Sequence, residues 1–352
     1  MSAIQELINK FSPIVYIHSN ERYFPASIDW LLNYSTLVDF NKKTKIVKPT
    51  QRDLYESAKS YNFARVADGD VVLSFPPETF KGQQPLSDVP CYALYKEMND
   101  KIYITYIFIF PFNGNYEIAG LVGLGSHPGD MEHMTVECSK SGVIERIFYA
   151  AHGYKDGRWV PAQDVEFENG HPVCFMAVSG HGLYPKAGQA FRFGGFANDY
   201  MDRGFRWAPK VDLLLDKDDP NFNIDKMGWS VFNGRFGGDA DKPNTEGITS
   251  LPDKPWYSAV DNVNEENYKP PKIIDEKYTK KINILSRVKT FAIIYTVIMI
   301  ISFLVKKIIF KGDKQGTGQA LMRHLSVILI TTVLYYMYMS GGKKLLLKYV
   351  PV

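Results

Sequence analysis

The sequence predicts an all-β fold: a β-sandwich body with short N-terminal helices, followed by a two-helix transmembrane hairpin near the C-terminus. Aromatic residues make up 14% of the 352 residues, and there are 27 Gly and 20 Pro. That mix favours strands and tight turns over helix bundles. Strand-like apolar runs alternate with turn-forming clusters roughly every ten residues, which is typical of a sandwich. Two charge-free apolar stretches late in the chain predict the hairpin.

The elements of the body follow from local pattern. Short helices are predicted over Ala3–Lys10, around Ile28–Asn33 and around Thr50–Lys59. Alternating or continuously apolar β-rich runs predict strands within Lys101–Pro111, Glu132–Glu137, Gly142–Ala151 and Pro172–Val178. Residues 1–252 are therefore expected to form one β-sandwich domain. The cysteines Cys91, Cys138 and Cys174 lie in apolar runs without C-x-x-C spacing, so we expect buried free thiols.

The charge is unevenly distributed along the chain. Of the 41 basic and 38 acidic residues, 14 and 3 lie after residue 270. This leaves 27 basic and 35 acidic residues in the body, a net charge of −8. An acidic body argues against nucleic acid as a partner, because phosphate binding needs a basic face.

The apolar stretches Thr290–Val305 and Leu325–Met339 contain no charged residue, and lysines flank their ends. Each is shorter than the roughly 20 residues that cross a bilayer, so the flanking lysines would have to snorkel. We expect a polar linker over residues 253–287, a transmembrane hairpin over 288–341 that contacts membrane lipid, and a basic tail over 342–352. Two buried core helices are the alternative.

The expected localisation is an integral membrane protein of a vacuolar, endosomal or internal viral membrane. The N-terminus lacks a basic stretch followed by an apolar core, so no secretory signal is predicted. Eight basic residues flank the hairpin on the outside and five lie in its connecting loop. The positive-inside rule therefore favours a body that faces the cytosol.

The densest polar cluster of the sequence is Gly125–Met134, which contains His127, Asp130, Glu132 and His133. In a strand that begins near Asp130, Asp130 and Glu132 share one face while His133 points to the other. His127, in the preceding turn, can fold back over the carboxylates. One imidazole with two carboxylates suits Ca²⁺, Mg²⁺ or Mn²⁺. The alternative is a chance arrangement of polar residues in a turn.

Two further histidines lie at strand ends. His152 and His181 are each followed by glycine, and strand-end loops of a sandwich gather at one rim. With His133, they are candidates for a pocket that binds a ligand. The alternative is that they bond backbone carbonyls within turns. Gly120–Gly125 lacks a following helix pattern, so no nucleotide cofactor is predicted.

The chain resembles the vacuolar protein sorting-associated protein 62 family. The resemblance covers most of the body, and Met131 stands where the family pattern has Trp. It is carried by the segments Ser12–His18, Tyr23–Pro25, Phe110–Gly114, His127–His133, Ala151–Gly153, Ser179–Gly182, Asp202–Trp207 and Asn233–Gly237.

More distantly, Gly125–His133 is similar to the heptad of necrosis-inducing, NLP-type cytolysins. This resemblance implies a β-sandwich with a divalent cation, Ca or Mg, at the heptad. It places the metal ligands at Asn113, His127, Asp130 and Glu132, with a later histidine near His181. Asn113 stands where the heptad proteins have Asp, so the site has one negative charge fewer. Pro128 and Gly129 replace the Arg and His of the heptad, so toxicity is not implied.

These observations predict a membrane-anchored, non-enzymatic binding or structural protein. Its β-sandwich would recognise a lipid, glycan or protein partner near the bilayer, in vacuolar sorting or as a membrane-linked component of a large virus particle. The alternative is a divalent-metal-dependent hydrolase in which Asp130 and Glu132 hold the cation and His152 or His181 is the general base.

Overall fold

The computed structural model describes residues 3–66, 69–118, 122–152, 157–192, 198–243, 246–258 and 273–274. Its helices are α1 (Ala3–Lys10), α2 (Ile28–Leu32), α3 (Gln51–Ser60), α4 (Ile224–Met227) and α5 (Pro255–Ser258). Its strands are β1 (Ile14–Ile17), β2 (Thr36–Asp39), β3 (Thr44–Val47), β4 (Val71–Ser74), β5 (Cys91–Met98), β6 (Lys101–Asn113), β7 (Tyr116–Ile118), β8 (Val122–Leu124), β9 (His127–Ser139), β10 (Ile144–Tyr149), β11 (Arg158–Pro161), β12 (Phe167–Glu168), β13 (His171–Met176), β14 (Leu183–Tyr184), β15 (Gly188–Ala190), β16 (Asp199–Met201), β17 (Phe205–Trp207), β18 (Val211–Leu214), β19 (Arg235–Phe236), β20 (Ile248–Thr249) and β21 (Ile273–Ile274).

A six-stranded sheet lies at the centre, with the strand order β11-β10-β9-β6-β5-β18. Its longest pair is β6 with β9, antiparallel from Lys101 opposite Ser139 to Asn113 opposite His127. Strand β6 is buried on both faces, which explains its nearly continuous apolar sequence. Full burial of a side chain such as Phe108 contributes roughly 1.5–3 kcal/mol relative to its exposure.

One face of the central sheet packs against the sheet β12-β13-β1-β17, to which β14 is added beside β13. The residues of β6 and β9 on this face include Tyr106, Phe108 and Met134, which pack with Val15 and Trp207. A three-stranded sheet, β16-β15-β21, supplies residues to a further cluster on the outer side of β1 and β13. The two sheets of the predicted sandwich are therefore part of a structure with additional layers.

The other face of the central sheet packs against the sheet β20-β19-β4-β2-β3 and the helices α2 and α3. Ile107, Ile109 and Met131 meet Leu73 and Phe236 in this second core. The side chains of β9 thus alternate between the two faces of the sheet as predicted, because Met134 and Met131 belong to opposite cores.

The predicted β-rich body with short helices is confirmed. Helix α1 has the predicted bounds, and α3 begins after Thr50, whose side chain forms a capping box with Asp53. The cysteines are buried and free of disulfides, as predicted. Strand β9 begins at His127, before the predicted start near Asp130, because β6 continues to Asn113 and pairs with a segment whose sequence is typical of a turn.

The prediction of an integral membrane protein was wrong. In the part of the chain that the structure describes, no helix is long and apolar enough to cross a membrane. The segments assigned to the transmembrane hairpin and the basic tail, residues 288–352, lie outside the described residues. Most of the predicted linker also lies outside them.

Candidate functional site

His181 lies at the centre of a buried polar cluster between the central sheet and the chain that follows β13. Its side chain is 0% exposed, and its ring stacks on Phe110 with centroids 3.8 Å apart. Its Nδ1 lies 2.9 Å from Asp130 Oδ2, and its Nε2 lies 3.0 Å from the carbonyl oxygen of Tyr23. A carboxylate and a carbonyl oxygen can only accept, so both ring nitrogens donate and the ring is an imidazolium.

The pKa values agree with this assignment. Burial alone lowers the pKa of His181, but the hydrogen bond to Asp130 and the charges of Glu21 and Asp130 outweigh it, and the pKa is raised. Burial likewise raises the pKa of Asp130, but the hydrogen bond and the charge of His181 prevail and lower it. The pair is therefore a charged hydrogen bond in the interior.

Glu21 fixes the turn that carries His181. Its Oε2 accepts the backbone N–H of Ser179 at 2.7 Å, and its Oε1 accepts those of Arg22 and Tyr23. Oε2 also lies 3.9 Å from His181 Nε2. Ser179 and His181 have φ values of +66° and +53°, which are costly for residues with a side chain. The carboxylate thus compensates a strained turn and adds a second negative charge beside the imidazolium.

His152 forms a second histidine–carboxylate pair, with Asp199. The distance from its Nε2 to Asp199 Oδ2 is 2.6 Å, and Tyr184 Oη donates to the same oxygen at 2.5 Å. Arg192 Nη1 lies 3.7 Å from Asp199 Oδ1. Burial raises the pKa of Asp199, but the charge and hydrogen bond of His152 outweigh it and lower the pKa.

The two pairs are neighbours. A Cβ atom on Gly182 would lie 3.5 Å from His152 Nε2, so His152 packs against the chain directly after His181. Glu132 is influenced by both pairs. Burial and the charges of Asp130 and Asp199 raise its pKa well above the ordinary value, although Lys254 opposes them. Burial lowers the pKa of Lys254 in turn.

The remaining predicted residues make other hydrogen bonds and ring contacts, although the charge of His127 also contributes to the lowered pKa of Asp130. Asn113 and His127 face each other across β6 and β9. The Asn113 amide donates to the carbonyl oxygens of Gly114 and Gly125, and His127 Nδ1 bonds the carbonyl oxygen of Gly129. His133 points to the second core, where it stacks on Trp256 with centroids 4.2 Å apart.

Asp130, one of the predicted metal ligands, is already paired with a positive charge. Asp130 Oδ1 accepts the N–H of Met131 and Oδ2 accepts from His181, while Asn113 donates through Nδ2, the atom that does not ligate a cation. Within the described ranges, no group of three or more His, Cys, Asp or Glu side chains is positioned to hold a metal ion. The divalent cation at Asn113, His127, Asp130 and Glu132 stays a prediction.

Sequence reasoning missed Glu21, Asp199, Tyr184 and Lys254. Glu21 lies between two segments, ending at His18 and beginning at Tyr23, that carry the family resemblance, and this position was its one signal. Asp199 belongs to no motif. Its contact with His152, 47 residues earlier in the chain, is seen only in the folded structure.

Comparison with known proteins agrees with the resemblance seen in the sequence. The family model described as vacuolar protein sorting-associated protein 62 matches residues 1–206. The chain belongs to this family. The vacuolar protein sorting-associated protein 62 of Saccharomyces cerevisiae (strain ATCC 204508 / S288c) is 25% identical over 271 residues. The match covers 64% of this chain and 58% of that relative's length.

Solved structures of NLP proteins are similar to the chain at low identity. NLPPya in complex with mannosamine shares 12% identity at a TM-score of 0.33, with 60% of this chain and 73% of that chain covered. The non-toxic HaNLP3 protein shares 10% identity at a TM-score of 0.34, with 65% and 81% covered. A likeness at this level says nothing about ligand or activity.

Proposed function

We propose that the chain is a non-enzymatic binding protein with a role related to vacuolar sorting, whose β-sandwich recognises a lipid, glycan or protein partner. Membership of the family supports the sorting role. Because the chain spans 58% of the length of the yeast relative, that role is part of the proposal. The function in a virus particle stays a prediction.

The observation that supports a non-enzymatic role is that His181 is buried and that both of its ring nitrogens are hydrogen-bonded. A general base needs a free lone pair within reach of a substrate. Both ring nitrogens of His181 donate to fixed acceptors, and its side chain is 0% exposed. The cluster is therefore suited to brace the junction of Glu21, Asp130 and the turn after β13.

One observation favours the alternative, a hydrolase. The side chain of His152 is 13% exposed and is held by the buried carboxylate of Asp199. A histidine oriented by a carboxylate is the arrangement of many general bases. The hydrolysis test therefore includes a variant of His152.

The test compares the full chain with its His152→Gln and Asp130→Asn variants on p-nitrophenyl acetate and bis-p-nitrophenyl phosphate, with and without added Ca²⁺ or Mg²⁺. Circular dichroism establishes that each variant is folded. We expect no hydrolysis above the buffer rate in any of the three proteins. Hydrolysis by the wild type that a folded variant loses would contradict the proposal and establish the hydrolase.

A further inference from the structure

The strands β2 and β3, with their connecting turn and Lys48, form a strongly basic hairpin, called here the basic β-hairpin (residues 36–48). It contains four lysines, Lys42, Lys43, Lys45 and Lys48, and one acidic residue, Asp39, although the body to which it belongs has a net charge of −8. The local charge is therefore opposite to that of the rest of the domain.

Strand β3 is the outer strand of its sheet, and all four of its residues are exposed. In the part of the chain that the structure describes, it pairs with β2 alone. Neither face of the strand is covered, so its side chains reach solvent in both directions. Strand β2 beneath it is mostly buried and supports the hairpin.

Large apolar side chains accompany the lysines. Val47 is 67% exposed, Tyr34 48% and Ile46 38%. Tyr34 lies beside the strand, because Thr36 pairs with Val47 and the N–H of Lys48 donates to the carbonyl of Ser35. Ile46 and Val47 on the hairpin, with Tyr34 beside it, place exposed apolar surface next to the lysines, which is the composition of an interfacial contact.

Two of the lysines are not engaged by acidic side chains. Lys43 and Lys48 have no ion pair with any described residue, while Lys45 has one with Asp241 at 3.3 Å that is exposed on both sides. Such exposed pairs are weak and exchange easily. Lys43 and Lys48 also have φ values of +54° and +53°, where Gly or Asn would be easier to accommodate. Lysine is present at both positions despite this cost.

We propose that the basic β-hairpin is a peripheral contact site for an anionic lipid bilayer. Amines that bind lipid phosphates and carboxylates, with aliphatic and tyrosine side chains that enter the headgroup region, are the two requirements of interfacial binding. An acidic peptide strand added to the edge of β3 fits less well, because lysines along an edge disfavour strand pairing. This inference rests on the proposed binding function and names its partner.

The test is co-sedimentation of the full chain with vesicles of 30% phosphatidylserine in phosphatidylcholine, compared with pure phosphatidylcholine vesicles. The Lys43→Glu/Lys45→Glu/Lys48→Glu variant reverses the charge at three of the four lysines, and Ile46→Ser/Val47→Ser removes the apolar part. Matched controls on other surfaces are Lys140→Glu/Lys210→Glu/Lys226→Glu and Val143→Ser, all at exposed positions.

We expect binding to the anionic vesicles that falls with added salt and that the lysine variant weakens by at least roughly 100-fold, since each lysine contributes about five-fold. The serine variant should also weaken binding, and both controls should bind like the wild type. Equal binding by wild type and lysine variant, equal losses in the control, or no binding by the wild type would each overturn the proposal. None of these outcomes alters the hydrolysis test, so the two proposals fail separately.

Discussion

Replacement of Asp130 by Asn tests the buried pair in its simplest form. Asparagine keeps the size of the side chain but only one acceptor oxygen, so it can accept from Met131 or from His181 but not from both, and it removes the negative charge that faces the imidazolium. Loss of one partner of a buried ion pair costs about 3–5 kcal/mol, and the one hydrogen bond that asparagine can still accept reduces this. Because Glu21 still lies 3.9 Å from His181, we expect the free energy of unfolding to fall by about 2–3 kcal/mol.

The assay is equilibrium unfolding in urea, with Glu137→Gln as the control on the same strand. Glu137 is also buried, but its partner Arg146 has a side chain that is 38% exposed. We expect the control to cost less than about 1 kcal/mol, since solvent screens that pair. A loss below about 0.5 kcal/mol for Asp130→Asn, or a loss equal to that of the control, would refute the reasoning.

The pair also predicts how this difference depends on pH. The pKa of His181 is raised from 6.5, so its contribution is fully present below pH 6.5 and is lost as pH rises through the folded value. The pKa of Asp130 is lowered from 3.8, so its contribution is present above pH 3.8 and is lost as pH falls through the folded value. The stability difference between wild type and Asp130→Asn should therefore be largest between pH 3.8 and 6.5. A difference that does not change with pH would contradict this account.

Three further predictions concern neighbouring features, each measured as the free energy of unfolding. Asn113→Asp should cost about 2 kcal/mol, because a carboxylate cannot donate to the two carbonyl oxygens that the amide now binds; exposed Asn99→Asp is the control. Gly129→Ala should cost at least about 2 kcal/mol, because φ is +72° and the new Cβ would lie 2.6 Å from a backbone oxygen; Gly170→Ala, with φ +85° and no atom within 4 Å, measures the strain alone. Asp199→Asn should destabilise the chain at neutral pH, and the loss should shrink as pH falls through the lowered pKa of Asp199.

Each of these predictions has an outcome that contradicts it. A stable Asn113→Asp protein would mean that the amide is not a donor there. Equal costs for Gly129→Ala and Gly170→Ala would mean that the close approach to Phe236 is unimportant. A loss for Asp199→Asn that grows toward acid pH would show that the carboxyl group is not held in its charged form.

The sequence was informative where the determinants were local. Helix α1, helix α3 and the apolar run of β6 could be recognised because each is contained in a short segment. The opposite directions of Asp130 and His133 also followed from strand alternation. The start of β9 was missed, since the pairing of residues 127–131 depends on β6 and overrides a turn-like sequence.

The candidate site could be predicted only in part, because its contacts are distant in the chain. Glu21 and Ser179 are 158 residues apart, and His181 and Asp130 are 51 apart. A histidine and two carboxylates in one heptad indicated a cation, whereas in the structure the positive partner of Asp130 is the imidazolium of His181. A single sequence contains no signal that distinguishes these two ways of neutralising a buried carboxylate.

The most direct test of the central claim, that the cluster braces the fold, is the coupling energy between Asp130 and His181. It is obtained from the unfolding free energies of the wild type, Asp130→Asn, His181→Gln and the double variant at pH 6. The account predicts a favourable coupling of about 2 kcal/mol, with each single variant less stable than the wild type. A coupling near zero, with single variants as stable as the wild type, would contradict it. A catalytic or metal-binding role would then be the better explanation of the pair.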